Sequence, residues 1–277
     1  MDDLVSTQWL ASQLGEPDLR IVDSTAFLPG TGRDARAEFA AAHIPGAVFL
    51  DIDELSDRTN PAPHMLPSAS DFGSAMEAFG NGRDDRIVVY DNSPLRTAAR
   101  GWFMLRHFGS RAVAILDGGL SKWIAEGRPI EAGEPSPGLA RFDAVERSGD
   151  VVTKADIRAG LDAPLLDARG QGRFEGTEPD PRPGIATGHI PGARNLPFAA
   201  LYQDDGTFRP REELAQAFAA AGVDPLAPFV ASCGSGVTAN SIIFAAHLLG
   251  NRGTRLYDGS WAEWGADPST PKATGPA

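Results

Sequence analysis

The chain has 277 residues, 42% hydrophobic and 22% charged, the balance of a globular protein with room for one large or two ordinary domains. Its net charge of −12 argues against a nucleic-acid-binding surface, and no apolar run approaches the ~20 residues of a membrane span. One cysteine excludes an internal disulfide or a cysteine-based zinc site, and no cluster of His, Cys and carboxylate has metal-ligand spacing, so neither metal nor other cofactor is expected.

The opening Met1-Asp2-Asp3-Leu4 is acidic and lacks the basic and apolar stretches of a secretory leader. With a lone thiol, this suggests a reducing cytoplasm. Residues 20–23 and 86–90 are apolar runs expected as strands. The loop Asp91-Asn92-Ser93-Pro94-Leu95-Arg96-Thr97 follows, then a helix over 98–108 and a strand over 113–116. Residues 132–149, with Pro135, Pro137, Gly138 and many charges, read as a linker between domains at 1–131 and 150–277. Farther on, residues 229–231 read as the end of a buried strand. Residues 240–249 read as a helix stopped by Gly250.

The halves repeat each other. His43-Ile44-Pro45-Gly46-Ala47 recurs as His189-Ile190-Pro191-Gly192-Ala193, and Ile21-Val22-Asp23 as Leu165-Leu166-Asp167. Leu116-Asp117-Gly118-Gly119 with Trp123 recurs as Tyr257-Asp258-Gly259-Ser260 with Trp264. The offsets are 146, 144 and 141 residues, far longer than the ~20–50 of a solenoid, so the copies are tandem domains. Each alternates strand-like and helix-like segments, which implies an α/β fold, a parallel sheet flanked by helices with ligands outside the carboxyl ends of the strands.

Cys233 lies between the last strand and helix, in Cys233-Gly234-Ser235-Gly236-Val237-Thr238. A short loop with two glycines aims several N–H groups at one point. The helix N-terminus adds partial positive charge, so the field favours a thiolate nucleophile. The alternative is a small buried hydrophobe, which leaves Gly-x-Gly beside the cysteine without a packing rationale. Aligning the halves sets Asp91 opposite Cys233, in a loop without thiol or glycine whose Pro94 lacks an N–H; the first copy cannot run the same chemistry. His43, His189, Asp117 and Asp258 occur in both copies and are therefore read as structural.

The paired His-Ile-Pro-Gly-Ala motifs, the Asp-Gly turns before a tryptophan and the Cys-x-x-Gly-Val-Thr loop resemble the rhodanese superfamily across nearly the whole chain. The likeness is to its form with two tandem rhodanese-like domains, the first non-catalytic and the second catalytic. It implies sulfur transfer through a Cys233 persulfide. Gly234 and Ser235 are similar to members that act on 3-mercaptopyruvate, whereas thiosulfate enzymes usually carry Arg-Lys there. Arg173 and Arg182 match the two arginines that hold the donor's carboxylate and carbonyl, which suits arginine's fork; without the motif they read equally as surface arginines.

Asp53, His64 and Ser235 match a proposed relay that moves the proton. Their plainer roles are a helix N-cap for Asp53, a loop hydrogen bond for His64 and mere smallness for Ser235. Gly234, Gly236, Val237 and Thr238 are expected to contact the anionic sulfur through their N–H groups. The expected partners are an anionic small-molecule sulfur donor and a thiol acceptor such as thioredoxin or a small thiol, or cyanide. Thiosulfate as main donor is the runner-up. A non-catalytic module is the third reading. A phosphatase of related fold would need Cys-x5-Arg, and here the sixth residue after Cys233 is Ala239.

Overall fold

A computed structural model describes residues 1–277 and divides them into two compact units. The first holds residues 1–56, 66–147 and 204–207; the second holds 57–65, 148–203 and 208–277.

In the first unit the chain forms β1 (Leu4–Val5), α1 (Thr7–Gln13), β2 (Leu19–Asp23), α2 (Ala35–Ala41) and β3 (Ala47–Phe49). It continues through α3 (Ala69–Ala78), β4 (Arg86–Tyr90), α4 (Ala98–His107), β5 (Ala112–Leu116) and α5 (Gly119–Ala125). The strands form one parallel sheet in the order β1-β5-β4-β2-β3. Its inner strands are apolar almost without interruption because helices cover both faces, and Ile87, Val88, Val89 and Tyr90 are all fully buried. Val5, Ile21, Phe49, Val88, Leu116 and Trp123 belong to the core on one face.

The Pro/Gly segment after α5 lies along this unit. Phe142 is buried edge-on against Phe72, its N–H donates to Glu77, and the N–H of Val145 donates to the Phe108 carbonyl.

The second unit repeats the plan. It contains β6 (Val151–Val152), α6 (Lys154–Ala159), β7 (Leu165–Asp167), α7 (Gln171–Glu175) and β8 (Arg194–Asn195). Then come α8 (Arg211–Ala220), β9 (Phe229–Ser232), α9 (Ala239–Leu249), β10 (Thr254–Tyr257) and α10 (Ser260–Trp264). The order β6-β10-β9-β7-β8 matches the first sheet position for position, again all parallel. Helix α9 is buried from Ala239 to His247 and ends at Gly250, whose φ of 110° is a left-handed cap.

In each sheet the chain reverses its direction of growth between β2 and β4, or β7 and β9. Such a reversal opens a crevice at the carboxyl rim. Asp23 pairs with Tyr90 there, and Asp167 with Ser232, so the next residues, Asp91 and Cys233, leave the middle strand at equivalent points. No helix is long and apolar enough to cross a membrane.

Candidate active site

Cys233 is 1% exposed, at the base of the loop from β9 to α9. Two side chains shape this loop from outside. Ser260 Oγ accepts the N–H groups of Cys233 (3.0 Å) and Gly236 (3.1 Å), donates to the Tyr257 carbonyl (2.8 Å) and lies 3.9 Å from Cys233 Sγ. Asn240 Nδ2 donates to the carbonyls of Gly236 and Val237 at 2.6 and 2.9 Å. These bonds fix the Gly236 and Val237 peptide planes. The N–H groups of Gly234, Ser235, Val237, Thr238 and Ala239 hydrogen-bond no protein acceptor. They lie beside the N-terminus of α9, and unbonded N–H groups at a helix N-terminus are the donors that an anion takes.

Gly236 is required by two constraints. Its φ is +75°, and a Cβ would stand 2.6 Å from the Asp258 carbonyl oxygen. Ser260 also adopts positive φ, +50°, a strained conformation for a residue with a side chain.

The two predicted arginines converge on Gly234. A Cβ there would lie 3.3 Å from Arg182 Nη2 and 4.0 Å from Arg173 Nη1, so glycine keeps the space before the guanidinium groups open. Arg182 Nη1 donates to the Gly234 carbonyl at 2.8 Å. The half-buried Arg173 guanidinium makes no hydrogen bond or ion pair with the protein. It is carried on the short helix α7, which Arg169 anchors: Arg169 pairs with Asp167 (2.7 Å), donates to the Gly188 carbonyl and lies over the Trp261 ring. Asp180 clasps Arg182 through Nε and Nη2 at 2.8 and 2.9 Å. Burial raises the Asp180 carboxyl, but the hydrogen bonds and charge of Arg182, with Arg173 adding to them, hold it below the usual carboxylate range.

His64 belongs to the second unit and reaches Ser235, Nδ1 to Oγ, at 2.8 Å. Its φ of +62° is unusual for a residue with a side chain. Asp53 lies in the first unit, in the turn after β3. The expected capping role falls to Asp51, whose Oδ1 accepts the N–H groups of Asp53 and Glu54.

The shared histidines are structural. His43 Nδ1 bonds the Phe39 carbonyl and its ring stacks on Phe39; His189 does the same with Phe174, the ring centroids 3.8 Å apart. In the first unit the Asp91 carboxylate fills its own loop, accepting the N–H groups of Ser93 (2.8 Å) and Ala98 (2.7 Å). Gly119 replaces Ser260 there, and a Cβ on it would collide with the Asp91 carbonyl.

Ser260, Asn240 and Asp180 escaped the sequence reading. The repeat held a signal for Ser260, since Gly119 differs from Ser260 as Asp91 does from Cys233.

A family model of the rhodanese-like domain matches the chain twice, at residues 6–126 and 153–267. The chain is 44% identical over 270 residues to the human 3-mercaptopyruvate sulfurtransferase, covering 94% of this chain and 91% of the relative. It is 40% identical to the bovine thiosulfate sulfurtransferase over the same shares. The crystal structure of the Escherichia coli 3-mercaptopyruvate sulfotransferase SseA superposes with a TM-score of 0.86 at 37% identity, over 94% of this chain and 99% of that one.

Proposed function

The chain belongs to the rhodanese-like family, and we propose that it transfers sulfur from 3-mercaptopyruvate to a thiol or cyanide through a persulfide on Cys233. The observation that carries this reading is the convergence of two guanidinium groups on Gly234, in the loop that follows Cys233. That arrangement holds a carboxylate and an anionic sulfur side by side.

In the first half-reaction the Cys233 thiolate attacks the donor's sulfur. An S–S bond forms, the C–S bond breaks, and its electron pair leaves with the carbon fragment as the pyruvate enolate. The enolate takes up one proton to become pyruvate. Arg173 and Arg182 bind the carboxylate and stabilise the charge growing on the adjoining oxygen. Ser235 passes the proton in this reading, supported by its hydrogen bond to His64, and Asp53 is the third residue assigned to the relay. The persulfide's outer sulfur lies among the N–H groups of Gly234, Ser235, Val237 and Thr238. In the second half-reaction a thiolate, small or on thioredoxin, or cyanide attacks that sulfur, and Cys233 leaves as thiolate. The kinetics are then ping-pong.

The loop at Asp91 in the first unit (the domain assigned to 1–131) forms no persulfide, because it has no thiol and the Asp91 carboxylate occupies its N–H groups. The lone thiol suits a reducing compartment, and we place the enzyme in the cytoplasm.

Thiosulfate is the second reading, favoured by the likeness to the bovine enzyme. Against it, thiosulfate has no carboxylate for the arginine pair, and Gly234 and Ser235 supply no basic side chain. Comparing kcat/KM for the two donors against one acceptor tests the assignment. A preference for 3-mercaptopyruvate is expected, and a preference for thiosulfate would replace it.

A further inference from the structure

We propose that Asp180 is a positioning residue, holding Arg182 in the orientation that receives the donor's carboxylate. This rests on the function proposed above, in which a carboxylate binds beside Gly234.

The Asp180 side chain is 1% exposed, while that of Arg182 is 27% exposed. One carboxylate takes three N–H groups from one residue: Oδ1 accepts from the Arg182 backbone (3.0 Å) and Nε (2.8 Å), and Oδ2 accepts from Nη2 (2.9 Å). Pro179 and Pro181 flank Asp180 and restrict the backbone that carries it. On its other side the guanidinium is tied by Nη1 to the Gly234 carbonyl. A guanidinium has five N–H groups, and these bonds use three. One N–H on each terminal nitrogen remains, the pairing that a carboxylate accepts as a fork. Nη2 is also the atom nearest the space before Gly234. Arg173 has no such clasp and meets Asp180 only through its charge, so Asp180 orients one arm of the pair.

The consequence falls mainly on donor binding. Asp180→Asn keeps the size and the Oδ1 acceptor but loses the charge and the acceptor for Nη2. Arg182 must then be immobilised afresh by each donor molecule. We expect KM for 3-mercaptopyruvate to rise about tenfold, the upper end of the cost of ordering one long side chain. Arg182 also stabilises the charge growing on the enolate, so kcat should fall as well, but by no more than about threefold, and KM carries most of the effect. In an Arg182→Ala background, Asp180→Asn should change KM by less than about twofold, because the residue acts through the arginine.

A second readout does not depend on the natural donor. Alkylation of Cys233 by iodoacetate, which carries a carboxylate, is compared with that by neutral iodoacetamide. The iodoacetate to iodoacetamide rate ratio should fall in Asp180→Asn and fall no further when the change is made in Arg182→Ala. A wild-type enzyme that ignores 3-mercaptopyruvate would overturn the proposed donor, and the alkylation ratio would still judge the clasp. An unchanged ratio in folded Asp180→Asn, or an equal KM effect with and without Arg182, would overturn the positioning role.

Discussion

Replacing Ser260 with alanine tests how the loop is held. The hydroxyl is fully buried and takes part in three hydrogen bonds, two accepted from the loop's N–H groups and one donated to Tyr257. Alanine fits the space but removes the acceptor of two loop N–H groups and the donor to the Tyr257 carbonyl. A buried unsatisfied group costs about 1–3 kcal/mol, so the loss should be about 3 kcal/mol, with local adjustment or entering water keeping it from the full sum. For a unit of this size that lowers the melting transition by about 10 °C. Because the Cys233 and Gly236 N–H groups fix the loop's curvature, persulfide formation should slow about 10–100-fold, less than the ~100–1000-fold cost of removing an oxyanion donor outright. Scanning calorimetry and a single-turnover assay read the two effects. A Ser260→Ala protein that melts and reacts like the parent would refute the claim that this hydroxyl shapes the loop.

Other substitutions probe separate parts of the account. Gly236→Ala should destabilise by at least about 2 kcal/mol, since it combines left-handed backbone with a contact against the Asp258 carbonyl; a thermal melt reports it. Arg173→Ala should raise KM for 3-mercaptopyruvate about 10–100-fold, the worth of a charge-assisted hydrogen bond, and affect thiosulfate less; steady-state assays with both donors measure the contrast. Asp23 lies in the first unit without the arginine that partners Asp167. Burial, aided by nearby Asp91, pushes its carboxyl up to about 6. The folded state therefore binds this proton more tightly than the unfolded chain. The penalty is absent below about pH 4, grows as pH rises, and is complete above about pH 6, where it reaches about 3 kcal/mol. Asp23→Asn should accordingly raise the first unit's melting temperature at pH 7.5 and leave it unchanged at pH 4.

The parts legible in the sequence share one physical cause. Strands buried on both faces must be largely apolar, so β2, β4 and β5 stand out by their Val/Ile runs and β9 by Phe229-Val230-Ala231. The loop at Cys233 was visible because glycines beside a lone cysteine serve no packing purpose, and the repeat offered Asp91 as an internal comparison. Strands β1, β6 and β8, of two residues each, carry too little pattern to detect. Ser260 and Asn240 were invisible for another reason. Serine in an Asp-Gly-Ser turn and asparagine in the first turn of a helix are ordinary there, and their partners are known only once the fold is built. Ser260 lies 27 residues beyond Cys233. Asp180 looked like one more acidic residue in a proline-rich loop until its carboxylate was seen closed around Arg182.

The central claim is that the second unit carries sulfur on Cys233 and releases pyruvate. Intact-protein mass spectrometry after mixing with 3-mercaptopyruvate alone tests it most directly. The account requires one adduct of about 32 Da, a single sulfur atom, on the peptide containing Cys233, together with one equivalent of pyruvate. Pyruvate released at the parent rate by Cys233→Ser, or wild-type turnover without the adduct, would contradict it.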